Sequence, residues 1–139
     1  MDEALRERIR TSFDTQNMMK TLGAELIEVE PGLVRIAAPI LPGSRQQHGY
    51  GHAALTFAIG DTAAGYSALS TMTADSEVLT SEIKINLLAP ARGDRLVATG
   101  RVAKSGKRLC VVTAEVHAEA DGKSTLIAIL QGTMVPVAG

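Results

Sequence analysis

Aromatic residues and cysteine are scarce in this sequence, and each shortage limits what the protein can be. Tyr and Phe occur twice each and Trp is absent among 139 residues, so the core must be built from aliphatic side chains. The single cysteine, Cys110, excludes an internal disulfide and suits a reducing compartment. Because Cys110 falls on the inward-facing side of a predicted strand, we expect an inert core thiol.

A dominant charge of one sign is also missing. The net charge is −1 with both signs interspersed, and no basic stretch alternates with aromatic residues, which argues against nucleic acid as a partner. No run approaches the roughly 20 apolar residues of a membrane-spanning helix. The first residues, MDEALRERIR, are charged, unlike a secretory signal. We therefore expect a soluble, cytoplasmic protein without a membrane partner.

Histidines are too few and too scattered to indicate a metal site. Only three are present, without HxxxH spacing or a Cys/His cluster, so we expect no metal. The G-x-S-x-G elbow of a serine hydrolase is absent as well. The stretch GYGHAA (49–54) matches a dinucleotide-binding turn, but a polar loop precedes it and no βαβ repeat follows. We therefore expect no cofactor.

What the sequence does contain fits one globular domain over residues 1–139, with 45% hydrophobic and 21% charged residues. Apolar spacing predicts an amphipathic helix over 4–20, packed on the domain as part of its N-terminal segment (1–20), and a long helix over 52–70. Alternating residues and turn signals predict strands joined as hairpins. These strands cover 24–30, 33–40, 81–88, 94–104, 108–120 and 124–137. The order indicates an α+β fold, with an antiparallel sheet around one long, buried central helix.

The long helix contains a solitary acid. Asp61 is the only formally charged residue from Gln46 through Ala74, and it lies too far from the helix start to gain from the helix dipole. Two roles fit this residue: a structural acid hydrogen-bonded to its surroundings, or an acid or base in catalysis. The lack of a local cation favours the second role.

The start of the same helix offers hydrogen-bond donors. With His52 at the helix start, the backbone N–H groups of Ala53 and Ala54 are expected to point outward unpaired, where they could bind a developing oxyanion. His52 could equally serve as a helix cap.

Polar and basic side chains on the loops are weaker candidates. Three of them precede the long helix and face either its start or water: Gln46, Gln47 and His48. Basic residues collect on the turns between the late strands, as solvated charges or as a patch for a phosphorylated ligand. The candidate substrate contacts in this group are Arg92, Lys104, Lys107 and Arg108.

Three segments together resemble the hotdog-fold acyl-CoA thioesterases of the PaaI-like (phenylacetate-pathway) type. They are the loop QQHGYGHAA, the helix with Asp61, and SEIKINLLAPARGD, and the resemblance runs from about Gly23 to Met134. Members typically carry His-Gly-Gly at the helix start and an acid nine residues after that His, here His52 and Asp61. They also carry an Asn or Gln six residues before the His, here Gln46.

The resemblance implies an enzyme that hydrolyses an acyl-CoA thioester with an aryl or a short- to medium-chain acyl group. Asp61 would be the general base or the nucleophile, and the N–H groups after His52 would polarise the carbonyl. Gln46 would orient water or thioester across a dimer interface, and Thr80 would place a hydroxyl near the acid. CoA would be part of the substrate, and the chain would assemble as a homodimer or a dimer-of-dimers tetramer.

One departure from the family pattern leaves alternatives open. This chain has Ala53-Ala54 where members have Gly-Gly, and alanine keeps the N–H but adds a methyl group. A non-catalytic acyl-CoA binding or regulatory module on the same fold is therefore the second hypothesis. A hotdog hydratase ranks last, because such enzymes carry a His a few residues after the Asp and this chain has none there.

Overall fold

Six antiparallel strands form one sheet that wraps around a long helix. The structure, a computed structural model, describes residues 2–139. The helices are α1 (Glu3–Asp14), α2 (Asn17–Thr21) and α3 (Ala53–Leu69), with a 3₁₀ turn at Pro42–Ser44. The strands are β1 (Glu25–Glu30), β2 (Leu33–Pro39), β3 (Ser76–Leu87), β4 (Arg95–Ser105), β5 (Cys110–Ala120) and β6 (Lys123–Ala138). Their order in the sheet is β1-β2-β4-β5-β6-β3, so β1 and β3 are the edges. The predicted α+β architecture is confirmed.

Turn chemistry determines how consecutive strands pair. Asp121 and Gly122 both have positive φ, 51° and 76°, as the two-residue turn between β5 and β6 requires. Gly32, with φ 72°, closes the turn between β1 and β2 in the same left-handed region. Both turns occur where the sequence predicts them, and the hairpins they form are antiparallel.

Close approach between α3 and the sheet explains why the helix is built from small residues. Ala63 and Ala64 are fully buried on the inner face of the sheet. A Cβ built at Gly100 of β4 would lie 2.4 Å from the carbonyl carbon and oxygen of Ala63. The helix backbone therefore rests directly on β4, and only glycine fits at that position.

The N-terminal helix predicted over 4–20 is in fact two helices. The N–H groups of Thr15 and Gln16 donate to the carbonyls of Ser12 and Phe13, at 3.1 and 3.0 Å, which tightens the end of α1. The Thr15 hydroxyl also donates to the Ser12 carbonyl at 2.7 Å. Such side-chain bonding competes with helix continuation, so the chain turns before α2 begins.

The strand predicted over 81–88 begins earlier, at Ser76, because a β-bulge hides its periodicity. The pairing of β3 with β6 shifts between Thr80 and Glu82, so Ser81 is the extra residue. Val78 packs on the core before the bulge, whereas Ile83 and Ile85 do so after it. The inward-facing side chains therefore change parity, and the first part of the strand no longer alternates in step with the second.

The helix α3, predicted to be a buried central helix, is exposed along one stripe. Ala53, Ala54 and Phe57 are exposed, and Asp61 and Thr62 are partly exposed. The other side of the helix packs on the sheet, where Ile59 is fully buried. The apolar composition of α3 thus comes partly from a surface that a single chain leaves uncovered.

Cys110 lies in the core, as predicted from its position in the strand, with 1% of its surface exposed. Burial raises the pKa of the Cys110 thiol, because the thiolate loses solvation there. No helix within residues 2–139 is both long enough and apolar enough to cross a membrane.

Replacing Gly100 with alanine is expected to lower the free energy of unfolding by about 3 kcal/mol, because the added methyl overlaps the Ala63 carbonyl. Chemical denaturation followed by circular dichroism measures this change. Gly43→Ala is the matched control, since a Cβ built there has no neighbour within 4 Å. Equal stability of the two variants would contradict a tight contact between α3 and β4.

Candidate active site

The carboxylate of Asp61 faces a cavity between α1, α3 and β3. This acid cavity has a volume of about 210 Å³, and Asp61, Thr80, Gly65 and Tyr66 are among its lining residues. The Thr80 hydroxyl donates to Asp61 Oδ1 at 2.7 Å. Within residues 2–139, no cation pairs with Asp61 and its Oδ2 makes no hydrogen bond. Oδ2 is therefore available to accept a proton from a bound molecule.

The β-bulge at Ser81 orients Thr80 toward the helix. If the strand alternated regularly from Ile83 and Ile85, which face the core, the side chain of Thr80 would point away from α3. The bulge reverses that parity, and Thr80 Oγ1 lies within hydrogen-bonding distance of Asp61 and 3.2 Å from Met134 Sδ. The sequence resemblance predicts a hydroxyl near the acid, and the bulge is what brings this one there.

His52 caps the start of α3. Its side-chain Nδ1 accepts a hydrogen bond from the Ala54 N–H at 2.9 Å, and its backbone N–H donates to the Ser44 carbonyl at 2.8 Å. The expectation that the Ala53 and Ala54 N–H groups are both unpaired is therefore wrong for Ala54. Between residues 2 and 139, the Ala53 N–H has no acceptor, so one donor remains.

Gln46 is held by the loop through its side-chain carbonyl. Its Oε1 accepts hydrogen bonds from the His48 N–H at 2.6 Å and the Tyr50 N–H at 3.2 Å. Both donors are backbone groups, so the oxygen of the amide must face them. The amide NH₂ of Gln46 is then left to donate to another molecule.

Gln46, His52 and Ala53 line a second cavity of about 480 Å³, together with apolar residues such as Leu87 and Ile127. This loop cavity shares no lining residue with the acid cavity. Gln47 and His48 are exposed on the loop and line neither of the two. The structure therefore groups only some of the predicted loop residues with the helix start.

Asp61 does not meet Gln46 or His52 within one chain. Asp61 lies eight positions after Ala53, which is about 12 Å along a helix axis at 1.5 Å per residue. Groups that act on one carbonyl must lie within hydrogen-bonding reach of it. One chain thus carries two half-sites, one with the acid and one with the donors.

The basic residues do not form a single patch. The Arg92 guanidinium lies over the Tyr50 ring, 5.6 Å from its centre, and its Nη2 is 3.3 Å from the Tyr50 hydroxyl, beside the loop cavity. Lys104 lies near the far end of β4, and Lys107 and Arg108 lie in the turn that follows. The length of β4 alone, eleven residues at about 3.3 Å each, separates that turn from the start of the strand near Arg92.

Sequence reasoning missed a hydrogen-bonded group of three residues in the acid cavity. The Tyr66 hydroxyl lies 2.8 Å from Ser12 Oγ and accepts from Gln16 Nε2 at 2.8 Å, and all three residues line the cavity. The helical spacing from Asp61 to Gly65 and Tyr66 could have placed Tyr66 on the same face of α3. Nothing in the sequence indicates that α1 reaches this face. Across the described part of the chain, no cluster of three His, Cys, Asp or Glu side chains could hold a metal ion.

Comparisons of the sequence and of the structure with known proteins find thioesterases and esterases. A family model described as "Thioesterase superfamily" matches residues 48–125. A solved structure of a thioesterase family protein from Silicibacter pomeroyi is 38% identical, covers 97% of this chain and 99% of that chain, and has a TM-score of 0.95. A protein of Saccharolobus solfataricus provisionally named an esterase is 30% identical over 86% of this chain and 77% of its own length. The E. coli PaaI protein from the phenylacetic acid degradation operon has the same fold at 23% identity, with a TM-score of 0.85 over 97% of this chain and 94% of that chain.

Two structures of one Staphylococcus aureus protein, in one case described as a thioesterase, carry alanine in place of a glutamate and of a glutamine. They are 26% and 24% identical to this chain, cover 88% and 87% of it and 100% and 98% of their own chains, and each has a TM-score of 0.80. The two substituted residues are fifteen positions apart in that protein.

Replacing His52 with alanine is expected to lower the free energy of unfolding by about 1 kcal/mol, because the Ala54 N–H loses its acceptor. His52→Asn is the matched control, since asparagine is a strong N-cap residue and should retain most of the stability. Thermal and chemical unfolding measure both variants. If His52→Ala and His52→Asn were equally destabilised, the capping role would be incorrect.

Proposed function

The chain belongs to the thioesterase superfamily and has its hotdog fold, and we propose that it hydrolyses an acyl-CoA to the free acid and CoA, using Asp61. Thioester hydrolysis is the activity that the family assigns to the protein. The observation that carries the finer proposal is the Asp61 carboxylate, which faces a cavity and is hydrogen-bonded by Thr80 at 2.7 Å. Gln46 and Asp61 are also fifteen residues apart, like the two residues substituted in the Staphylococcus aureus protein.

A second copy of the chain would complete the site. The edge strand β3 borders both cavities, since Thr80 lines the acid cavity and Leu87 lines the loop cavity. If two β3 strands pair antiparallel around a two-fold axis between Ile83 and Lys84, Thr80 of one protomer lies opposite Leu87 of its partner. The acid cavity of each protomer then meets the loop cavity of the other.

Exposed apolar side chains support this assembly. Leu79, Leu87 and Leu88 are 57%, 55% and 54% exposed along and just beyond β3, and Phe57 is 37% exposed on the uncovered stripe of α3. An unpaired edge strand with large apolar side chains invites pairing with another strand. We therefore propose a homodimer as the active unit, alone or within a dimer of dimers.

In this dimer the donors of one protomer act on the same substrate as the acid of its partner. The Gln46 NH₂ and the Ala53 N–H donate to the thioester carbonyl oxygen and stabilise the charge that develops there. Asp61 Oδ2 takes a proton from water as the water oxygen bonds to the carbonyl carbon. The C–S bond then breaks, and the CoA sulfur takes that proton from Asp61. Alternatively, an oxygen of Asp61 bonds to the carbonyl carbon as the C–S bond breaks and CoA leaves as a thiolate. Water then hydrolyses the acyl–Asp61 anhydride, which restores the Asp61 carboxylate, releases the free acid and supplies the proton that the thiolate takes up.

The loop cavity is the proposed entry for the CoA arm. Its apolar lining, including Leu87 and Ile127, suits the thiol-bearing chain of CoA, and Arg92 beside it suits a phosphate. Lys104, Lys107 and Arg108 lie at the other end of β4 from the loop cavity of their own chain. They would therefore contact only a CoA that is bound in the loop cavity of the partner subunit. CoA enters as part of the substrate and leaves as a product, so the proposal requires no cofactor.

A non-catalytic acyl-CoA binding module is the second candidate. The observation that favours it is the helix start, where both alanines carry a methyl group and the Ala54 N–H is already bonded to His52. A binding module has no use for a carboxylate beside the thioester, however, and Asp61 lies in a cavity with a hydrogen-bonded partner. Measurement of acyl-CoA hydrolysis distinguishes the thioesterase from the binding module.

Asp61→Asn is expected to lower kcat for thiol release from acyl-CoA by about 100-fold or more, because the amide cannot accept the proton from water. The release of free CoA is measured with a thiol reagent over a panel of acyl-CoA substrates. Asp121→Asn is the matched control, since Asp121 lies in the exposed β5–β6 turn and asparagine tolerates its positive φ. Full activity in Asp61→Asn would overturn the role of the acid. Binding without turnover in the wild type would identify the module.

Mixing two inactive variants tests the composite site. Gln46→Ala and Asp61→Asn, unfolded together and refolded as mixed dimers, are expected to recover about one quarter of wild-type activity. Half of the dimers are then mixed, and each mixed dimer has one intact site from Asp61 of one protomer and Gln46 of the other. Each variant refolded alone is the control. Activity no higher than in those controls would mean that each site is built within one chain.

A further inference from the structure

We infer that Ser12, Gln16 and Tyr66 form the end wall of the acyl pocket and select short acyl groups that carry a hydrogen-bonding group at their far end. The inference rests on the proposed function, in which the thioester carbonyl lies beside Asp61. The three residues and Asp61 line the same cavity. The end wall thus lies where the end of an acyl group would lie.

The end wall is a rigid polar surface. Tyr66 is 4% exposed, and its ring packs on Phe13 of α1 with 6.4 Å between ring centres. Its hydroxyl is 2.8 Å from both Ser12 Oγ and Gln16 Nε2. Because Ser12 lies in α1 and Gln16 in the turn that follows α1, the N-terminal segment determines how the pocket ends.

The network retains capacity for a ligand. Within residues 2–139, Gln16 Oε1 makes no hydrogen bond, so it can accept one from a ligand hydroxyl. The pair Ser12–Tyr66 shares one hydrogen between two hydroxyl groups, which leaves the other hydrogen to donate. An acyl group that ends in a methyl would leave these groups without water or partner, which costs affinity.

The length of the pocket limits the acyl group. Tyr66 lies five positions after Asp61, which is about 7.5 Å along α3 and about six carbon atoms of an extended chain. This length points to an acyl group of about six carbons.

Gly65 keeps the far part of this pocket open. It is buried and lines the acid cavity, yet a Cβ built there has no neighbour within 4 Å. A methyl at this position would extend into the space that the acyl chain occupies. Gly65 is therefore a second specificity residue, which acts on size, whereas the end wall acts on polarity.

The test compares kcat/KM for acetyl-, hexanoyl- and ω-hydroxyhexanoyl-CoA. Wild type is expected to prefer ω-hydroxyhexanoyl-CoA to hexanoyl-CoA, and Tyr66→Phe to reduce that preference about fivefold through the loss of one hydrogen bond. Gly65→Ala is expected to reduce kcat/KM about fivefold for both six-carbon substrates and less than about twofold for acetyl-CoA. Gly43→Ala, with equally open space around its Cβ, should leave all three values unchanged.

Stability and binding measurements distinguish a failure of this inference from a failure of the proposed function. The thermal midpoint of Gly65→Ala should not fall, because alanine favours the helix and meets no neighbour. A lowered midpoint, or an unchanged preference in Tyr66→Phe, would overturn the inference. If wild type hydrolyses no acyl-CoA, the proposed function fails. Dissociation constants of the hexyl and ω-hydroxyhexyl thioethers of CoA, measured on the same variants, then confirm or overturn the inference independently.

Discussion

The direct contact of the α3 backbone with β4 is the constraint on which the rest of the molecule depends. Gly100 has no side chain because the Ala63 carbonyl occupies its place. The helix is therefore fixed in rotation as well as in position, since only its face of small residues can approach so closely. Asp61 projects from the side of the helix that faces α1 and the edge strand β3. The contact that stabilises the core thus also determines where the acid points.

The edge strand β3 places side chains both in the core and beside Asp61, and both placements depend on one β-bulge. Its bulge at Ser81 turns Thr80 toward Asp61 while Ile83 and Ile85 remain in the core. A regular strand could satisfy one of these placements but not both, because side chains alternate. The same strand leaves a row of unpaired backbone groups beside exposed leucines. Strand edge, acid and apolar surface therefore meet at one place.

Sequence periodicity and turn residues were sufficient for the architecture and for most element boundaries, because hairpin turns and helix composition are local properties. They were insufficient to predict a feature that depends on a single weak local hydrogen bond or on contacts between distant parts of the chain. The break at Thr15 depends on one hydroxyl, and the early start of β3 depends on pairing with β6. The occupied Ala54 N–H depends on the orientation of one imidazole ring. The approach of Ser12 and Gln16 to Tyr66 depends on how α1 packs.

The helix start shows how a capping hydrogen bond changes which groups are free to stabilise an oxyanion. His52 uses its Nδ1 to cap α3, and the Ala54 N–H is thereby committed to the helix. Of the two backbone donors available in principle, only that of Ala53 remains, and it lies beside a methyl group. Gln46 has its carbonyl oxygen bound by the loop, so its NH₂ is already oriented as a donor. In the proposed mechanism Gln46 therefore carries a larger share of the stabilisation of the oxyanion, because it is held in place before substrate arrives.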